Sequence, residues 1–465
     1  MLNLSKKIEG LEGADYNPRK IGEEDLRVLK ESVTKLGIVK PVIVRGNTIV
    51  AGHQRIKALR ACGILFAPVY ELGTDTTTYD EVRFNQLHNG TDMDSGDEGC
   101  TIIGGFISTG YNFVDHENIN GNMRGKMAVV RGEIAKLIIK FGSWGGVVCT
   151  KSGKVIHCAQ YALAAKLTKT KLTAYVIEDD QEQLYTSYLN KEYGVFSYDN
   201  LKKDTFIQTF AQIFRLRNDD GQGRNSMLYE QNVMPYIENN KNLRIIDFGA
   251  GQGDYAKMLK KQGYNIIDVE LFRRSAATHV IDVKAVVRMI NRMCAEIKKH
   301  GLFDIVICDS VLNSIDSLEA ETHVMNFLNM LCNDNGVIFF SGRSKGFIQG
   351  HLNSTQAKGK ERYIEFMDDK GFTALFRKGR WFYQKYHDLA LIEGIIKNAN
   401  MQAVKITYSK SNSSWQVIAK KRSNIDKTAA IQSIKFEFNL NISDNRKLGK
   451  EKDVLRAFNL SEDYL

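Results

Sequence analysis

Between Ile245 and Tyr255 the chain reads IIDFGAGQGDY, a short apolar run followed by three glycines at alternate positions, Gly249, Gly251 and Gly253. Glycines placed after a strand let the backbone approach a ligand closely and leave main-chain N–H groups at a helix start to meet it. About twenty residues further on, GYNIIDVE reads as a second strand ending at Glu270, where a carboxylate can accept hydrogen bonds from both hydroxyls of a ribose. Asp247 closes the first strand with another carboxylate, and HVIDV reads as a further strand carrying Asp282. FDIVICDSVLNSI reads as a buried strand with Asp309 and Asn313 at its carboxyl end, the catalytic edge of an open parallel sheet, so these two are the candidate catalytic residues.

The elements that must hold these residues follow the order strand, glycine loop, helix, strand. A helix, ETHVMNFLNMLC, and a strand, GVIFFSGR, complete an α/β doubly wound order. The GxGxG spacing after an acidic strand end resembles the class I S-adenosylmethionine-dependent methyltransferases rather than the GxGxxG dinucleotide fingerprint. That resemblance implies a Rossmann-like domain over residues 226–422, with S-adenosyl-L-methionine held by Asp247, Gly249, Gly251, Gly253, Glu270 and Asp282. Neither the (D/N/S)PP(Y/F) segment of amino-methylating DNA enzymes nor a Pro-Cys nucleophile follows the fourth strand. DSVLNSI and RWFYQKYHD instead resemble segments of the methyltransferases associated with DNA phosphorothioation, a likeness spanning roughly residues 240 to 420.

The stretch FRKGRWFYQKYHD interleaves bases with aromatics. Arg380, Trp381, Lys385 and Tyr386 suit phosphate contact and base stacking on a single or flipped DNA strand; the alternative is a strand with its aromatics in the core. SIKFEFNLNI alternates like a strand and SDNRKLGKEKD reads as a charged tail, together residues 423–465.

Near the N-terminus, Leu26, Leu29, Val33 and Leu36 mark one face of a helix that Gly37 stops, and PVIVRGNTIVAG reads as two strands around a tight turn. With its NPRK opening, the LKESVTKLGIVKPVIV body and AGHQR where a GERR box is usual, this α+β segment, residues 1–90, resembles the ParB N-terminal domain. The resemblance implies that Gly52, His53 and Arg55 hold a phosphate, of DNA or of a nucleoside triphosphate, at a helix N-terminus. A fainter copy follows over residues 91–200 at an offset of about 106, where SWGGVVCTKSGKVIHCAQYALAAK overlies the first hairpin and helix. In that copy Tyr161 stands where Arg55 stands, so a degenerate second lobe is expected, and 201–225 reads as a connector. TDMDSGDEG, counted from Asp92, puts Asp97 and Ile103 where an EF-hand loop needs its glycine and glutamate, and is expected to be an exposed acidic loop.

A chain of 465 residues suggests about three domains, and a formal charge of +10 favours a polyanionic partner. The seven cysteines include no CxxC pair, so neither a disulfide framework nor a zinc site is signalled, and no metal is expected. No apolar leader or spanning segment is visible, which makes the expected setting the cytoplasm of a bacterial host cell. The expectation is an S-adenosylmethionine-dependent DNA methyltransferase carrying a ParB-like module. Two alternatives stand beside it: transfer of the cofactor's aminocarboxypropyl group, and a non-catalytic ParB-like nucleotide switch with a cofactor-sensing fold.

Overall fold

The structure, a computed structural model, describes residues 2–15, 17, 21–88, 99–123, 128–189, 198, 203, 212, 214–216, 225–275, 280–346, 367–368, 370–377, 380–442 and 446–460. The acidic stretch at 91–98 lies outside them. Two compact units divide the chain, Met1–Lys202 with Gln349–Lys370 and Lys203–Ile348 with Gly371–Leu465.

The first unit opens with β1 (Leu2–Lys7), β2 (Glu12–Gly13), α1 (Glu23–Leu36), β3 (Val42–Arg45), β4 (Thr48–Ala51), α2 (His53–Ala61), β5 (Phe66–Glu71) and α3 (Thr78–His88). Its sheet runs β1-β5-β3-β4-β2. The β3–β4 hairpin is antiparallel, and the α2 crossover returns the chain as β5 parallel to β3. A second lobe then repeats this wiring with β6 (Gly110–Val114), α4 (Ala128–Phe141), β7 (Val147–Thr150), β8 (Val155–His157), α5 (Ala159–Thr168), β9 (Leu172–Ile177) and α6 (Glu182–Leu189). Here β7 and β8 form the hairpin, α5 the crossover, and β9 lies parallel to β7 with the antiparallel β6 in the place of β1. Apolar residues from both lobes share one cluster, in which Phe84 of α3 meets Trp144 with ring centroids 4.4 Å apart. Beside it Arg83 and Glu133 form a largely buried ion pair at 3.1 Å.

The second unit is an α/β sheet built from β10 (Ile245–Phe248), α7 (Asp254–Lys261), β11 (Ile266–Val269), α8 (Val283–His300), β12 (Phe303–Cys308), α9 (Leu318–Leu331), β13 (Cys332–Ser344), β14 (Phe372–Arg377), β15 (Arg380–His387), α10 (Leu389–Asn398), β16 (Met401–Tyr408), β17 (Ser414–Lys421), α11 (Lys427–Phe438) and α12 (Glu451–Ala457). Strands β11, β10, β12 and β13 are parallel neighbours in that order. Beyond them β17 pairs antiparallel with β13, and β16 with β17. The end of β13 also pairs with β15, through Arg343–Tyr386 and Ser344–His387.

The period-two alternation of buried strands sorts the two faces of this sheet. Ile245, Ile305, Ile307, Val337 and Phe339 pack with Tyr229, Tyr255 and Leu259 on one side. Ile246, Phe248, Val306, Cys308, Ile338 and Phe340 pack with α8, α9 and α11 on the other. Covered on both faces, such strands read as continuous apolar runs.

Two expectations are corrected here. Among its described residues, 280–283, HVIDV forms no strand: Ile281 makes a single bridge back to Arg274, and Asp282 begins α8 by accepting from the Ala285 amide at 2.9 Å. SIKFEFNLNI is not a strand either. Asp426 caps α11 through the Ala429 amide at 3.0 Å, and Ala430, Ile431, Ile434 and Phe438 fall at helical spacing into the core. The apolar positions of this segment satisfy both periods, and the cap selects the helix. The described residues of the C-terminal segment, 423–442 and 446–460, therefore pack into the core of the second unit.

Trp415, fully buried in β17, donates from Nε1 to the Arg343 carbonyl at 3.0 Å and lies edge-on to Phe340. Trp415→Ala is expected to cost about 3–5 kcal/mol, because it opens a large cavity and orphans that carbonyl. Chemical denaturation of the whole chain measures the loss.

Candidate functional site

The site lies at the carboxyl ends of β10, β11, β12 and β13 around a cavity of about 740 Å³. Gly249, Gly251 and Gly253 all have positive φ, at 83°, 54° and 68°. They differ in what a side chain would meet. A Cβ at Gly249 would overlap the Val311 side chain, and one at Gly253 would come within 2.9 Å of an Asp268 carboxylate oxygen, whereas at Gly251 nothing lies within 4 Å. The open space at Gly251 belongs to the cavity, so this glycine presents its backbone to whatever occupies it.

Glu270 is buried and holds the loop in place, its Oε2 accepting from the Gly251 amide at 2.8 Å and its Oε1 from the Phe272 amide at 2.9 Å. Burial raises its pKa, and those two amides work against the rise. Asp247 is more extreme. Its Oδ2 accepts from the Tyr229 hydroxyl at 2.6 Å and its Oδ1 is buried with no hydrogen-bond partner. Burial first, partly offset by the Tyr229 hydrogen bond, then the charges of Asp309, Asp268 and Glu270, push its pKa up to about 8. Tyr229 sits in a π-helical stretch, Tyr229–Val233, and stacks on Tyr255 with centroids 4.1 Å apart. Single π turns of this kind concentrate at functional sites.

At the end of β12, Asp309 Oδ1 accepts from the Ser341 hydroxyl at 2.7 Å, and its Oδ2 faces Arg215 Nη2 at 3.4 Å. The next residue, Ser310, has φ at 61°, a strained conformation for a residue with a side chain. Asn313 lines the same cavity, its Nδ2 donating to Ser314 Oγ at 3.3 Å and its carbonyl accepting from the Lys385 amide at 3.1 Å. Asp247, Gly249, Gly251, Glu270, Asp309 and Asn313 thus converge on one cavity; Gly253 caps α7 beside it. Asp282 stands apart, engaged as a helix cap and not among the cavity residues.

The predicted DNA-contacting group is corrected. Trp381, Lys385 and Tyr386 are buried, the last two to 1% exposure or less, and the Lys385 ammonium lies 4.6 Å from the Phe372 ring centroid. β15 is flanked by β14 and the end of β13, and its aromatics serve the core. From this segment it is Tyr383 and Gln384 that reach the cavity. The side chain of Arg380 lies outside the described residues.

In the first unit, Gly52 (φ 99°) starts α2. His53 Nε2 accepts from the Ala14 amide at 3.1 Å, and burial together with the Arg55 charge pushes its pKa down to about 4. The Arg55 guanidinium is buried and donates to the Lys40 carbonyl, at the entry to β3. Tyr161 does the corresponding work in the second lobe, where its hydroxyl accepts from the Trp144 amide at 2.9 Å, at the entry to β7. The expected phosphate grip by the His53 and Arg55 side chains is therefore corrected: His53 ties the start of α2 to the end of β2, and Arg55 ties it to the strand entering the hairpin. Of the expected trio only Gly52 acts purely through its backbone.

Several cavity residues carried no signal in the sequence. Gln212 and Arg215 lie in the stretch assigned to a connector, Tyr229 and Tyr255 in generic amphipathic turns, and Phe436 and Glu437 in the segment read as a strand.

Comparison with known proteins fits this geometry. Residues 222–379 match the family described as methyltransferase domain, and residues 5–80 match the ParB N-terminal domain. The chain thus carries a ParB N-terminal domain followed by a methyltransferase domain. Stage 0 sporulation protein J of Bacillus subtilis is 43% identical over 67 residues, 13% of this chain and 24% of that protein. The chain therefore spans about a quarter of the length of that curated relative. Among solved structures, an S-adenosylmethionine-dependent methyltransferase from Clostridium acetobutylicum is 14% identical, with 47% of this chain and 99% of that one covered at a TM-score of 0.30. The CcbJ methyltransferase of Streptomyces caelestis is 10% identical, with 48% and 100% covered at a TM-score of 0.32. Among the described residues no helix is long and apolar enough to cross a membrane.

The raised pKa of Asp247 couples stability to pH. A carboxyl with a higher pKa folded than unfolded contributes stability that is fully present below the unfolded value, near 3.8, and is lost as pH rises through about 8. Asp247→Asn should remove that part of the pH dependence, so the variant loses less melting temperature than the parent as pH rises from about 4 to about 8. Thermal melts across that range measure the difference.

Proposed function

We propose that the chain transfers a methyl group from S-adenosyl-L-methionine to DNA, with the ParB-like unit contributing DNA contact. The observation that carries the reading is the cradle at the sheet edge. Gly251 offers open backbone, Glu270 stands beside it with both oxygens on the loop side, and a cavity of about 740 Å³ opens in front of them. That volume falls within the range of small-molecule sites, about 300–1,000 Å³. Gly249, Gly251 and the Gly253 turn would hold the cofactor's amino-acid and ribose parts, with Glu270 at the ribose hydroxyls. Bound there, the cofactor would supply an electrophilic methyl group. The protein's own share is to align the acceptor: Asp309, Asn313, Tyr383 and Gln384 line the rest of the cavity and offer both donors and acceptors to a planar polar group.

DNA is favoured as acceptor by the ParB N-terminal match and by a net charge of +10 on the chain. Incubation with tritiated-methyl cofactor and plasmid DNA, followed by mass spectrometry of the digested nucleosides, tests it. Label in a methylated nucleoside supports the proposal, and cofactor binding without labelled DNA removes DNA as the acceptor. Binding to DNA should weaken with salt, the log–log slope being about −0.9 per phosphate contacted.

Gly251→Val should block the cofactor more than it unfolds the chain. A Cβ there meets no protein atom within 4 Å and projects into the cavity, so S-adenosylmethionine affinity should fall about 100-fold or more, roughly 3 kcal/mol, while the left-handed φ of 54°, strained for a β-branched residue, lowers stability by about 1–3 kcal/mol. Gly249→Ala should instead destabilise the fold, because its Cβ overlaps Val311. Calorimetric titration and melting curves on both variants distinguish the two effects.

A further inference from the structure

The C-terminal helix α11 brings a carboxyl group into the cavity that neither the glycine cradle nor the end of β12 requires. Phe436, Glu437 and Leu440 line the cavity alongside Asp309, Ser310 and Asn313. Glu437 is 5% exposed, and among the described residues no group donates a hydrogen bond to its carboxylate. The neighbouring thiol of Cys308, the last residue of β12, locates it independently: burial first, then the charges of Asp247, Asp309, Glu437 and Glu270, hold that thiol well above its ordinary value. Glu437 therefore faces the same strand end as the candidate catalytic pair.

A buried acidic group normally finds a partner, because leaving it alone is expensive. Asp247 has Tyr229, Glu270 has two amides, and Asp309 has Ser341 and Arg215. Glu437 has the cavity. Resting on the methyl-transfer reading above, we propose that Glu437 is the general base of this site, taking the proton that a neutral N–H or O–H acceptor gives up. The acceptor's lone pair forms the new bond to the methyl carbon, the carbon–sulfur electron pair remains on sulfur, and the acceptor's proton passes to a Glu437 oxygen. The acceptor class follows from this: a group that carries a proton to lose, such as an amine, an amide or a hydroxyl, rather than a thioether or a tertiary amine.

The electrostatics suit the task. Burial alone pushes the Glu437 pKa up to about 8, close to the pH at which a general base works best. The elements packed around it carry Glu319, Glu321 and His323 on α9, Asp304 and Cys308 on β12 with Asp309 just after it, Lys427 and Lys435 on α11 itself, and Glu451, Lys452, Asp453 and Arg456 on α12 with Lys450 just before it. Of these, Glu321 is already paired with His387, His323 meets Ser433 at 3.0 Å, and Lys450 is paired with Asp453 at 2.9 Å.

The test has two arms. In the first, the carboxyl carbons of the full chain are labelled at glutamate and followed by NMR through a pH titration, with Glu437→Gln used to assign the signal. One resonance titrating near 8 that disappears in the variant supports the proposal; a Glu437 signal titrating in the ordinary carboxylate range overturns it. This arm needs no acceptor, so it decides the point even if DNA receives no methyl group, an outcome that counts against the acceptor named above and not against Glu437. In the second arm, tritiated-methyl transfer to DNA is measured against pH. Glu437→Gln, isosteric with the protonated acid, should keep the parent's melting temperature and S-adenosylmethionine affinity but lose at least about 100-fold in kcat together with the rising limb of the pH profile. Glu437→Asp, which keeps a carboxyl at a shorter reach, should recover part of the rate. Equal rates for the Gln variant and the parent across the profile would overturn the assignment.

Discussion

The hydrogen bond from the Gly251 amide to Glu270 is the constraint on which the site depends. It joins the loop after β10 to the end of the adjacent strand β11, and so fixes the distance between the backbone donors of the loop and the Glu270 carboxylate. The carboxylate can be buried there only because amides meet both of its oxygens. Each glycine then has a distinct part. Gly249 must be small because Val311 fills the space above it, and Gly253 because Asp268 and Arg273 do. Gly251 has no protein atom over it, and its left-handed φ of 54° is what favours glycine there.

Around that bond the sheet edge collects negative charge at close quarters, with Asp247, Glu270, Asp309 and Glu437 all acting on Cys308. Four ionised carboxylates in one low-dielectric pocket would repel one another strongly. The structure relieves this in two ways. Asp309 is given Arg215 and Ser341, while Asp247 and Glu437 have pKa values pushed up to about 8 and are largely neutral at neutral pH. A site built this way is poised to respond to a cation entering it, because every positive charge placed there favours ionisation of the neutral acids.

The parts of this arrangement legible in the sequence are those made by short contiguous patterns. IIDFGAGQGDY, the β11 strand ending at Glu270, and FDIVICDSVLN each carry their own periodicity and punctuation, and all three fall where their pattern places them. The β3–β4 hairpin and α2 crossover were visible for the same reason, and the second lobe reproduces their wiring through β7, β8, α5 and β9. What sequence could not give was the direction of side chains whose surroundings come from far along the chain. RWFYQKYHD has the composition of a nucleic-acid surface, yet pairing of β15 with β14 and β13 turns Trp381, Lys385 and Tyr386 inward. KFEFNLN satisfies two periods at once, and only the Asp426 cap and the packing of α11 on α9 decide between them.

The two lobes of the first unit show what such a misreading costs in functional terms. An arginine two residues into a helix, after a glycine in the left-handed conformation, has the chemistry of a phosphate ligand. Arg55 nevertheless occupies the place in its lobe that Tyr161 occupies in the other, and both tie the start of a crossover helix to the strand entering the hairpin. A tyrosine can stand in the arginine's place because a main-chain hydrogen bond at the entry to the hairpin is common to both. Under the DNA-binding proposal, phosphate contact by this unit would fall to exposed groups and backbone amides rather than to His53 and Arg55, whose side chains already tie the fold together.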